Sequence, residues 1–166
     1  MVEHLPEFVD PLMLADKLRH FNGVLPLSKM PRLLEMLLVK EGGVKFGLKF
    51  GKEGKIASVT GTIDAELVLQ CQCCLGPIAW PVHSRVSLAV VASLDEADLL
   101  PENYEPLLLE GETIALADIV QDELLLAIPC VPQHDHCGTV PQGKKAPEPK
   151  APERTNPFAV LSELKK

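Results

Sequence analysis

Apolar and polar residues alternate in two distinct periods along this chain. From Val44 onward the period is two: Val44, Phe46, Leu48 and Phe50 alternate with Lys45, Gly47 and Lys49, the pattern of a half-buried strand. Gly51-Lys52-Glu53-Gly54 reads as a turn. A longer strand follows, with Ala57, Val59, Gly61, Ile63, Ala65, Leu67 and Leu69 on one face and Ser58, Thr60, Thr62, Asp64, Glu66 and Gln70 on the other. After residues 71–77 the chain returns as Ile78, Trp80, Val82, Ser84, Val86, Leu88 and Val90, alternating with Pro81, His83, Arg85 and Ser87. That is an antiparallel hairpin of unusual length. The fold class expected is α+β, an antiparallel sheet with a long central hairpin, packed by a few short helices and followed by a flexible Pro-rich C-terminal tail.

Helical signals flank this block. Asp10 as N-cap and Pro11 at the first helical position open a helix carrying Leu12, Leu14, Ala15, Leu18 and Phe21, stopped by Asn22-Gly23. A second short helix is expected from about Ser28 through Leu38, with Pro31 in its first turn. Beyond the hairpin, residues 95–103 read as an acidic loop or a single helical turn, and Pro106-Leu107-Leu108-Leu109 as a short strand. Residues 114–128 place Leu116, Ile119, Val120, Leu124 and Ala127 on one stripe, with Asp118, Asp122 and Glu123 on or near the opposite side. Pro129 ends that helix.

From residue 138 to 157 the apolar content collapses, with five prolines in the run. Such a segment reads as a linker. After it, Asn156-Pro157 opens a short amphipathic cassette with Phe158, Leu161 and Leu164 on one face. The expected organisation is a single domain over 1–137, a Pro/Lys/Glu-rich linker over 138–157, and a tail helix over 157–166. Phe158, Leu161 and Leu164 are the candidate partner-docking residues, the alternative being a helix that packs back on its own domain.

Composition narrows the class. The chain has 166 residues, 46% of them hydrophobic, but only seven aromatics (one Trp, one Tyr, five Phe), so its core must be aliphatic. It contains no uninterrupted apolar run long enough to span a bilayer. The N-terminal residues lack the basic and apolar regions of a secretion signal, and the expectation is a soluble, cytoplasmic protein with no membrane partner. Net charge is −7. Its distribution says more: residues 94–128 hold ten acidic side chains and no Lys or Arg, whereas residues 29–55 hold seven basic side chains against three acidic ones. One surface could therefore meet phosphate and another repel it, or both could be ordinary solvated faces. Lys45, Lys49, Lys52 and Lys55, on one strand and its turn, are the candidate phosphate-contacting residues.

Four of the five cysteines fall in two clusters, Cys71-Gln72-Cys73-Cys74 and His134-Asp135-His136-Cys137. Cys71 and Cys74 have the C-x-x-C spacing that turns two thiolates onto one metal, and His134 and Cys137 repeat the step with one imidazole. Four ligands close a tetrahedron and leave no open position, so the cofactor expected is a structural Zn²⁺ rather than a catalytic one. His136 is an alternative to His134, and Cys73 is either a thiol outside the set or a substitute ligand. The competing reading is two polar turns with no metal. No G-x-S-x-G, H-E-x-x-H or phosphate-binding Gly-rich loop is present, nor an H-x-E paired with P-C-x-x-C. The C-x-x-C lies between strands rather than at a helix N-terminus, where thioredoxin-type redox chemistry would want it. A non-enzymatic protein without a small-molecule substrate is expected.

Several runs together resemble the YceD family of bacterial large ribosomal RNA subunit accumulation proteins, which has relatives in plastids. They are Leu69-Gln70-Cys71-Gln72-Cys73-Cys74, Asn103-Tyr104-Glu105-Pro106, Asp122-Glu123-Leu124-Leu125-Leu126-Ala127-Ile128-Pro129 with Val131-Pro132-Gln133-His134, and Asn156-Pro157-Phe158-Ala159-Val160-Leu161. With Asp10-Pro11 the likeness spans essentially the whole chain. The family's loop commonly reads C-x-R-C, and Cys73 takes the arginine's place in this sequence. The resemblance implies a ribosome-biogenesis factor supporting accumulation of 23S rRNA and large-subunit assembly. Its implied partners are 23S rRNA or a pre-ribosomal particle, and a ribosomal or rRNA-processing protein. Two alternatives stand beside it: an acidic adaptor that never contacts RNA, and a zinc-dependent rRNA-processing enzyme.

Overall fold

The computed structural model describes residues 5–137. The chain divides into two compact units, Met1–Asp135 and His136–Lys166, and the first of them carries the sheet and its helices. The linker at 138–157 and the cassette with Phe158, Leu161 and Leu164 lie outside the described residues.

Strand β1 (Phe8–Val9) leads into helix α1 (Pro11–Asp16), whose N-terminus is capped by the Asp10 carboxylate accepting from the Met13 N–H at 2.9 Å. The helix is shorter than the apolar stripe suggests. Lys17 caps it, and Leu18 takes a left-handed backbone with φ +49°. Phe21, Gly23 and Leu25 then turn toward the interior of a strand, β2 (His20–Pro26), instead of continuing a helical face. Asn22-Gly23 therefore lies inside a strand rather than stopping a helix. The second expected helix is likewise abbreviated, to a 3₁₀ turn (Leu27–Lys29) and α2 (Pro31–Leu34). Propensity lost here to strand pairing and to tertiary packing.

Strands β3 (Gly43–Glu53), β4 (Ile56–Gln70) and β5 (Pro77–Val91) follow the period-two pattern. After α3 (Leu94–Ala97), strand β6 (Glu105–Leu108) joins β5 in parallel. The five-stranded sheet has the order β2-β3-β4-β5-β6, antiparallel except for this last pair. The short β7 (Ile114–Ala115) pairs with β1, and α4 (Leu116–Ala127) completes the set. The α+β class with a long central hairpin is thus the observed one.

One sheet face is aliphatic. Val44, Leu48, Phe50, Val59, Ile63, Leu67, Leu69, Val82, Val86 and Leu88 form one buried cluster with Leu14, Leu33, Leu116, Ile119, Val120 and Leu124 from the helices. Each such side chain, fully buried, contributes roughly 1.5–3 kcal/mol. Phe21 meets Phe50 edge to face at 5.9 Å. Gly61 permits the close approach of β3 and β4, since a Cβ there would lie 1.9 Å from the Gly47 carbonyl oxygen.

Helix α4 buries more than its apolar stripe. Gln121 is fully buried, and its Oε1 accepts from the Arg32 N–H at 2.9 Å and the Leu33 N–H at 3.3 Å, satisfying the first turn of α2. Glu123, expected on or near the polar side, is buried too. Burial first, and then the charge of Glu105, push its carboxyl above the ordinary carboxylate value, against a hydrogen bond with Ser84 that lowers it. The folded chain therefore holds this proton more tightly than the unfolded chain does. The contribution is complete at acid pH, below the unfolded value, and is lost as pH rises through the folded one. Glu123→Gln should raise the melting temperature at neutral pH, by a margin that narrows as the pH is lowered into the carboxylate range. A margin independent of pH in paired thermal melts would contradict this account.

Candidate metal centre and open sheet face

The β4–β5 ladder runs without interruption from Ser58↔Ala89 to Gln70↔Pro77, so the residues between the strands form a tip held by the whole hairpin. Within it the Cys71 N–H donates to the Gly76 carbonyl and the Leu75 N–H to the Cys71 carbonyl, both at 2.9 Å. Leu75 adopts φ +61°, the left-handed turn that brings the chain back. The Gln70 side-chain amide donates to the Leu75 carbonyl at 3.1 Å. Cys71 is fully buried, whereas Cys73 and Cys74 are exposed.

The segment after α4 returns to this tip. Trp80 Nε1 donates to the Ala127 carbonyl at 3.3 Å, fixing the end of α4 against β5. The Gln72 N–H donates to the Pro132 carbonyl at 2.8 Å. His134 Nε2 lies 3.1 Å from the Pro77 carbonyl oxygen, which can only accept, so the ring proton belongs on Nε2. Nδ1 then presents a lone pair, and it lies 3.5 Å from Cys74 Sγ. Ligand atoms of Cys71, Cys74, His134 and Cys137 all fall within 4.8 Å of one another. A tetrahedral Zn²⁺ with ordinary Zn–S and Zn–N bonds separates a sulfur from a nitrogen ligand by about 3.6 Å, which matches the Cys74–His134 spacing. Three thiols and one imidazole make a donor set that suits zinc. The carbonyl bonded to the far ring nitrogen is the outer partner that metal-bound histidines ordinarily have. The group contains His134 and not His136, and Cys73 is outside it.

The sequence-predicted lysines divide between the two sheet faces. Lys45 and Lys49 are exposed on the face opposite the core. Lys52 has the parity of the core face and is ion-paired with Asp16, while Lys55 is exposed in the β3–β4 turn. Registers across the open face align Lys45 with Asp64 and His83, Gly47 with Asn22, Thr62 and Arg85, and Lys49 with His20, Thr60 and Ser87. His83 and Asp64 are paired through Nδ1 and Oδ1. Arg85 and His20 thus join Lys45 and Lys49 on one surface. The parity of the two hairpin strands was enough to locate Arg85, but His20 was hidden by its assignment to a helix.

An α+β domain with a long hairpin, a Cys₃His cluster at its tip and one polar sheet face is the class these features define. The family profile described as "Large ribosomal RNA subunit accumulation protein YceD" matches residues 59–165. A relative from Haemophilus influenzae with the same description, "Large ribosomal RNA subunit accumulation protein YceD", is 34% identical over 168 residues, covering 97% of this chain and 96% of that protein. The chain belongs to the YceD family. No solved structure matches it. Among the described residues no helix is long and apolar enough to cross a membrane.

Proposed function

We propose that this chain is a cytoplasmic, non-enzymatic ribosome-biogenesis factor that supports accumulation of 23S rRNA and assembly of the large subunit, acting by binding rRNA, an assembly partner, or both. The observation carrying this reading is the end-to-end match to a relative described as a large ribosomal RNA subunit accumulation protein. Direct RNA contact is proposed for Lys45, Lys49, Lys52 and Lys55; the open face supports it for Lys45 and Lys49, whereas Lys52 has the parity of the core face and Lys55 lies in the β3–β4 turn. Arg85 and His20 share that face with Lys45 and Lys49. Clustered cations of this kind bind phosphate by counterion release. In cells deprived of the protein, large-subunit rRNA should fall relative to small-subunit rRNA, and the wild-type chain should restore it. Reversing all four lysines to Glu should block that restoration and weaken binding of rRNA fragments in a filter assay. Undiminished RNA affinity in that variant would remove the RNA arm and leave the adaptor reading, which the net charge of −7 favours.

The Cys₃His group is proposed to hold one structural Zn²⁺ through Cys71, Cys74, His134 and Cys137. When bound, the ion would neutralise thiolate charge and cross-link the hairpin tip to the segment following α4. Structural zinc in small modules contributes about 10–16 kcal/mol in apparent terms, so its removal should be conspicuous. Elemental analysis of protein purified under reducing conditions should find close to one zinc per chain. Chelation, or Cys71→Ser, should lower the melting temperature sharply. Metal-free protein with a melt indifferent to chelator would return the clusters to ordinary turns.

Phe158, Leu161 and Leu164 are proposed to dock on a ribosomal or rRNA-processing protein, on the strength of their shared apolar face at the end of a Pro-rich tether. Deleting residues 157–166 should abolish recovery of that partner in a crosslinked pull-down while leaving the melting temperature within a degree or so, the result that distinguishes a partner dock from a helix packing back on its own domain. Recovery of the same partners by the truncated chain would exclude the tail as the dock.

A further inference from the structure

Two sequence runs, Asn103-Tyr104-Glu105-Pro106 and the one beginning Asp122-Glu123, find no use in the metal centre or on the open sheet face. In the fold they converge. Strand β6 is the edge of the sheet, and α4 lies beside it, leaving a groove of about 430 Å³ between them. Its walls are apolar, with Leu88 and Leu107 from the sheet and Leu125 and Leu126 from the helix. Leu126 is 76% exposed, although Leu124 in the same helical turn is fully buried. Around these leucines stand three carboxylates, those of Glu105, Asp122 and Glu123.

The groove is held in place from both sides. Ser87 Oγ donates to the Asn103 carbonyl at 2.8 Å, and the Tyr104 hydroxyl donates to Glu53, so the start of β6 is tied to β5 and β3. On the helix side, Arg32 is paired with Asp122 and is the one cation among the lining residues. That pairing consumes the positive charge and leaves Glu105 and Glu123 without a cation among the lining residues, Glu123 having only its hydrogen bond with Ser84. Their mutual repulsion contributes to the raised pKa of Glu123. An incoming cation would relieve it. A polyanion would meet the opposite field, because residues 94–128 carry ten acidic side chains and no Lys or Arg.

We propose that the groove between α4 and β6 is a docking site for a basic segment of a protein partner, which inserts an aliphatic side chain between Leu107 and Leu126 and sets Lys or Arg against Glu105 and Glu123. The site rests on the reading of the chain as a binding factor and gives that factor a second, protein-directed surface, separate from the open sheet face. Apolar anchors in a groove supply affinity, and the carboxylate rim supplies sign selectivity and association rate.

The test uses the full chain, ¹⁵N-labelled and zinc-supplemented, titrated with the synthetic peptide Lys-Arg-Leu-Leu-Arg-Lys and followed by amide chemical shifts. Shifts should concentrate at Leu107, Leu125 and Leu126. The double variant Glu105→Lys/Leu126→Arg, both positions exposed, should bind about tenfold or more weakly at a melting temperature no lower than that of the wild type. If that variant melts early, the milder Leu126→Gln should still weaken binding. Lys45→Glu/Lys49→Glu should leave peptide binding intact, so that loss of RNA affinity and loss of groove binding are read separately. The proposal fails if the shifts are absent or scattered, or if the acidic peptide Glu-Asp-Leu-Leu-Asp-Glu or a single-stranded RNA oligonucleotide moves the same amides. It fails equally if a folded groove variant retains wild-type affinity.

Discussion

Everything else in this domain hangs on the ladder between β4 and β5. Thirteen consecutive residue pairs, from Ser58↔Ala89 to Gln70↔Pro77, lock two fifteen-residue strands in one register. A slip of one residue would exchange their faces, placing Thr60, Thr62 and Asp64 in the core and Val59, Ile63 and Leu67 in water. The aliphatic cluster makes that exchange prohibitive. Gly61 adds a steric constraint at mid-ladder, where only the absence of a Cβ lets β3 approach. Because the register is fixed, so is the position of whatever the hairpin carries at its tip and on its two faces.

The tip shows how a sequence-local motif is completed from a distance. Cys71 and Cys74 are brought to one turn by a few backbone hydrogen bonds. His134 arrives through α4, whose end is tied to Trp80, and through Pro132, whose carbonyl receives the Gln72 N–H. The Pro77 carbonyl then selects the imidazole tautomer. These contacts bring the hairpin tip and the segment after α4 to one group of candidate ligand atoms.

The two surfaces proposed for binding lie on different parts of the sheet. Lys45, Lys49, Arg85 and His20 project from the face turned away from the core. The carboxylates of Glu105, Asp122 and Glu123 collect where the parallel edge strand meets α4. The open face is itself mixed, because Asp64 and Glu66 stand among Lys45, Lys49 and Arg85.

What the sequence alone determined was whatever depended on a strong period or a fixed spacing. Alternation gave the hairpin strands and their inward faces, and the two-cluster spacing gave the Cys71, Cys74, His134 and Cys137 group. It chose neither between His134 and His136 nor between a helix and a strand at residues 20–26. Those choices were tertiary: Phe21, Gly23 and Leu25 could satisfy a helical stripe or a strand, and pairing with β3 decided between them. The same holds for Gln121 and Glu123, polar residues buried because α4 packs against α2 and β5. The parallel joining of β6 to β5, and hence the acidic groove, was also beyond a local reading. A four-residue strand carries no signal of its partner's direction, which is set by where α3 and Tyr104 anchor the returning chain.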